Sequence, residues 1–97
     1  MIFAITCIDR ADASGIRAAT RPAHVEYLNS LGKALVLGGP YLGEDGATPT
    51  GSLLLVEASD KAAAEAIAAK DPYAAAGLFA TVTIQPFRVV FLNPPVA

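Results

Sequence analysis

Apolar and polar positions along the chain follow two rhythms, one of period two and one near 3.6, and their order predicts the elements. Ile2 to Ile8 is a short apolar and β-branched run bounded by Asp9-Arg10 and Asp12, and it reads as a strand. From Asp12 the spacing turns helical. A proline ring clashes with the carbonyl four residues back, so Pro22 predicts a break: a short helix or turn over Asp12–Ala19, then a second helix from an N-cap at Thr20. On that second helix Ala23, His24, Tyr27, Leu28 and Leu31 form one stripe, and Gly32 ends it. Ala34–Leu37 is a second strand closed by Gly38-Gly39-Pro40. Gly43–Gly51, rich in Gly, Thr and acids, is a loop, and Ser52–Val56 is a third strand. Ser59-Asp60 caps an Ala-rich helix to about Lys70, which must stop because Pro72 drives Asp71 out of the α region. Pro72–Ala76 reads as one more helical turn closed by Gly77. Ala80–Ile84 and Phe87–Leu92 read as a last strand bent at Gln85-Pro86, hence at a sheet edge, with Asn93-Pro94-Pro95 as a stop.

The order β-α-β-β-α-β is the split unit of ferredoxin-like α+β folds: a four-stranded antiparallel sheet with helices on one face. Its 97 residues suit a single domain over 1–97 and leave no room for a second lobe. The strands are apolar on both faces, however. Phe3, Ile5 and Cys7 alternate with Ile2, Ala4 and Ile8, and Leu53 to Val56 runs unbroken, whereas a sheet with one solvated face alternates more cleanly. The uncovered face is therefore expected to pack against a second copy in a two-fold homodimer.

Composition sharpens that expectation. Hydrophobic residues make up 54% and charged residues 16%, below the roughly 25% charged of average soluble domains, though abundant Ala accounts for part of the excess. The net charge is −2, and the seven cations are scattered, so the basic footprint of a nucleic-acid binder is missing. No apolar run approaches the roughly 20 residues that span a bilayer. No cationic leader precedes Met1-Ile2-Phe3, and the expected compartment is the cytoplasm. One cysteine, Cys7, excludes an internal disulfide; mid-strand, it reads as core. One histidine cannot assemble a metal set, and neither metal nor cofactor is expected.

The candidate chemistry is sparse. His24 is the only side chain whose ordinary titration range suits proton transfer near neutrality, and Arg21, three residues earlier, shares adjoining helix surface with it. A structural histidine, hydrogen-bonded for packing, would give the same spacing. Asp71 sits at the unfavourable negative end of one helix yet is well placed to cap the next, with proline at the first helical position. Tyr73 is either a wall of the same cleft or a core aromatic. Gly38-Gly39-Pro40 lets a ligand or chain approach the backbone closely, but no phosphate-loop pattern follows it.

Arg21-Pro22-Ala23-His24, Gly39-Pro40, Thr50-Gly51-Ser52, Asp71-Pro72-Tyr73 with Ala76-Gly77, and Pro86-Phe87 occur in this order over almost the whole chain. Together they resemble the YciI-like, or YCII-related, proteins. The resemblance implies a dimeric α+β barrel whose cleft holds His24 and Asp71 as an active-site pair, and Arg21, Gly39, Pro40, Ser52 and Tyr73 are expected to bind the substrate. One characterised relative is a dehydrochlorinase of a chlorinated hydroxyhydroquinone. The expectation is thus a small cofactor-free lyase- or isomerase-type enzyme acting on a small polar cyclic or aromatic molecule. The competing reading is a non-catalytic dimeric module that binds a small metabolite.

Overall fold

The computed structural model describes residues 1–95, which form four strands and three helices in the order β-α-β-β-α-α-β. They are β1 (Ile2–Asp9), α1 (Ser14–Ser30), β2 (Leu35–Leu42), β3 (Pro49–Glu57), α2 (Lys61–Lys70), α3 (Pro72–Ala75) and β4 (Phe79–Phe87), with a 3-10 turn over Gly32–Ala34. The antiparallel sheet has the order β2-β3-β1-β4, the ferredoxin-like arrangement, with β2 and β4 at its edges. No helix among the described residues is long and apolar enough to cross a membrane.

Local signals set most of the ends. The Asp60 carboxylate accepts from Ala63 N at 2.8 Å to start α2. Gly32 and Gly77 take positive φ after α1 and α3, where a side chain would be strained.

Four expectations need correction. The break at Pro22 is absent: α1 runs unbroken through it, although proline gives the Ala18 carbonyl no N–H. One face of α1 holds Arg17, His24 and Leu28 against the rest of the molecule, and these contacts override the local penalty. Gly38-Gly39-Pro40 is not a closing turn but part of β2, opposite Leu54, Leu53 and Ser52. A Cβ on Gly38 would lie 2.9 Å from Leu54 Cδ2, so glycine lets the two strands pair there. With β2 extended to Leu42, its partner β3 begins at Pro49, and the loop shrinks to residues 43–48. That loop is folded around Asp45, which accepts from Ala47 N and Thr48 N at 2.9 Å each. The bond from the Thr48 hydroxyl, followed by these backbone bonds, lowers its pKa to about 2. Finally, β4 passes straight through Gln85-Pro86 and ends at Phe87, so Arg88–Leu92 lies outside the sheet. Phe87 is opposite Ile2, the first residue of β1.

The core lies between sheet and helices. Phe3, Ile5 and Cys7 of β1, Leu54 and Val56 of β3 and Ala64 of α2 are buried together, with Leu28, Leu35, Ile67 and Ile84 packed around them. A second cluster, Ala13, Tyr73 and Leu78, lies under the start of α1. The opposite sheet face has no helix on it. By strand alternation it carries Ile8, Leu37, Tyr41 and Phe87, each left 38–46% exposed.

Candidate active site

Because α1 is continuous, residues 17, 21, 24 and 28 fall on one helical stripe. That stripe faces the β2–β3 hairpin across a cavity of about 430 Å³. Arg21, His24, Gly39, Pro40, Ser52 and Tyr73 all line it, and Asp71 stands behind His24. The volume lies within the usual range for small-molecule pockets.

His24 and Asp71 are in contact. His24 Nδ1 lies 2.8 and 3.0 Å from the two Asp71 carboxylate oxygens, and both side chains are buried. A carboxylate can only accept, so Nδ1 carries the proton in that bond and Nε2 is left as the basic nitrogen of the neutral ring. Nε2 has no hydrogen-bond partner among the described residues, yet no buried side-chain nitrogen or oxygen is unpartnered, so Nε2 reaches open space. The Asp71 oxygen nearer to Nδ1 also accepts from Tyr73 N at 2.9 Å. One side chain therefore caps α3 and orients the imidazole. The cap requires β-region backbone, and Asp71 has φ −62° and ψ 127°, where the following proline holds it.

Tyr73 is both wall and core. Its ring is buried and stacks on the His24 imidazole with centroids 3.9 Å apart and planes at 18°. Burial raises its phenol pKa, with Arg17 acting in the opposite sense. Arg17 was not foreseen as part of this site. Its guanidinium lies 4.7 Å from the Tyr73 ring centroid and pairs with both oxygens of Asp9 at 2.7 and 2.8 Å. It also donates to Ser52 Oγ at 3.1 Å. The seven-residue spacing from Arg17 to His24 was the available signal, and an expected break at Pro22 conceals it. Cys7 has its thiol pushed up to about 12, first by burial and then by the charges of Asp71 and Asp9. At neutral pH it is a protonated core residue, not a nucleophile.

A model of the YCII-related domain matches residues 1–88. The chain belongs to the YCII-related family. Relatives within it include Protein YciI of Escherichia coli O6:H1, 37% identical over 94% of this chain and 100% of that protein, and Protein YciI of Shigella flexneri at the same identity and coverage. An uncharacterized protein of Haemophilus influenzae is 33% identical over the same shares of the two chains. Among solved structures, this YCII-related chain is similar to 5-chloro-2-hydroxyhydroquinone dehydrochlorinase from Burkholderia phenoliruptrix AC1100. That structure is a complex with 2,5-dihydroxybenzoquinone. The TM-score is 0.83 and the identity 33%, over 91% of this chain and 94% of that one.

Proposed function

We propose that this protein is a small enzyme that needs no cofactor and uses His24 and Asp71 for acid-base elimination or isomerisation of a small polar cyclic or aromatic substrate. The observation that carries the reading is the two-oxygen contact of Asp71 with His24 Nδ1, which leaves Nε2 as the basic nitrogen facing open space. Nε2 takes a proton from a substrate hydroxyl or activated carbon. Asp71 holds the ring plane and stabilises the imidazolium that forms. The electron pair left on the substrate moves into the ring and either expels a leaving group from the adjacent carbon or is reprotonated elsewhere, giving elimination or isomerisation. Arg21, also on the cavity wall, stabilises the oxyanion that develops, and Gly39, Pro40 and Tyr73 shape the slot for a flat ring. The ring-shaped ligand and elimination chemistry named for the Burkholderia dehydrochlorinase support this substrate class.

The test is a turnover screen of hydroxylated and halogenated rings. With a substrate in hand, His24→Ala is expected to lower kcat by about 10²–10⁴-fold with an unchanged fold. Wild-type turnover in that variant would leave the non-catalytic binding module as the better reading.

The same proposal places the protein in the cytoplasm as a homodimer of single-domain chains, joined through the helix-free sheet face. Ile8, Leu37, Tyr41 and Phe87 on that face support it. Sedimentation at micromolar concentration is expected to give twice the chain mass, and Leu37→Asp to shift it toward the monomer.

A further inference from the structure

Ser52 is nearly buried, at 4% exposure, and its environment is one-sided. Its oxygen accepts from Arg17 Nη2 at 3.1 Å, and that guanidinium is held by two bonds to Asp9. A guanidinium has no lone pair to offer, so the Ser52 proton cannot be returned to Arg17. No other group among the described residues accepts it, and Ser52 lines the cavity. We infer that the Asp9–Arg17 pair turns the Ser52 hydroxyl proton into the cavity, favouring ligands that present a ring-bound oxyanion or carbonyl oxygen.

The physical reason is polarity of the chain of bonds. Asp9 orients Arg17, and Arg17 withdraws electron density from Ser52 Oγ and occupies one of its two lone pairs. The remaining O–H is both better polarised and directed away from the cation. A hydroxyl in water turns freely, whereas this one has Arg17 on one lone pair and its proton free only toward the cavity. A ligand oxygen that carries negative charge gains most from it, because hydrogen bonds to charged groups are the stronger class. Arg17 is a positioning residue in this scheme, and Ser52 is the group that touches ligand. The inference rests on the reading of the cavity as a ring-binding site, but not on His24 acting as a base.

Two probes test it by direct binding: 2,5-dihydroxybenzoquinone, followed by calorimetry, and 4-nitrophenol, whose phenolate form is visible by absorbance. In the wild-type protein, bound 4-nitrophenol is expected to ionise at lower pH than the free probe. Ser52→Ala is expected to raise the bound probe's apparent pKa by about one to two units and to weaken binding of 2,5-dihydroxybenzoquinone by about tenfold to 100-fold. Ser52→Cys, of similar shape with a weak donor, is expected to lie between the two. A structural role alone would move the unfolding midpoint without moving the ionisation of the bound probe. If both probes bind the wild type and Ser52→Ala changes neither readout, the donor role is overturned and the ring-binding cavity stands. If neither probe binds the wild type, the cavity reading falls, and this inference with it.

Discussion

Asp71→Asn is expected to lower turnover by about 10²–10⁴-fold while moving the unfolding midpoint by no more than a few degrees. The two effects separate because Asp71 has two partners. Asparagine caps a helix about as well as aspartate, so its side-chain oxygen can still accept from Tyr73 N, which bonds Asp71 at 2.9 Å. Toward His24 it is a poor substitute. Its amide carries no charge to stabilise an imidazolium, and its NH₂ can donate to Nδ1, which turns the ring to the tautomer with its proton on the cavity side. The reading is a kcat measurement beside a thermal melt. A loss of stability without loss of rate would make Asp71 a cap alone. The double variant with His24→Ala is expected to be no slower than His24→Ala by itself, because the carboxylate acts through the ring.

Arg17→Met is expected to give a large loss of stability. Arg17 and Asp9 leave only 10% of each side chain exposed, and their contact is bidentate. Removing the cation strands a buried carboxylate, which costs about 3–5 kcal/mol, and it also strips the Tyr73 ring of its guanidinium neighbour. For a chain of this size the melting temperature falls by about 12 °C or more. Asp9→Leu combined with Arg17→Met is expected to lose less than Arg17→Met alone, since the stranded charge is then gone. Urea unfolding of both variants decides it. A double variant as unstable as the single one would mean that Arg17 stabilises mainly by packing on Tyr73.

The sequence analysis identified elements where a local signal and a tertiary requirement agree. Asp60 before an Ala-rich run, Asp71 before Pro72, and Gly32 and Gly77 after their helices all act where backbone chemistry says they should. The YCII-related resemblance rested on such residues, and the family match covers them. The misreadings share one cause, which is that a partner far along the chain outweighed a local preference. Pro22 ends a helix in isolation, but here the helix is held on both sides of it by Arg17 and His24. Gly38-Gly39-Pro40 turns a free chain, but β3 lies alongside and keeps it extended. Arg88–Leu92 has strand composition but lies past Phe87, which is paired with the first residue of β1. Arg17 was invisible as a site residue for the same reason as the helix break, since its relation to His24 exists only if the helix is whole. The approach of His24 to Asp71, 47 positions apart, came from resemblance, because no local rhythm encodes it.

The carboxylate that begins α3 is also the one that aligns the imidazole, and this ties the proposed activity to a helix of only four residues. A four-residue helix has almost no cohesion of its own and persists through its cap and through Tyr73. When that single turn frays, His24 loses its acceptor and the ring stacked against it at the same moment. Gentle warming or dilute urea should therefore silence the protein while the sheet is still intact, with amide exchange at Tyr73 reporting the event well before the strands open.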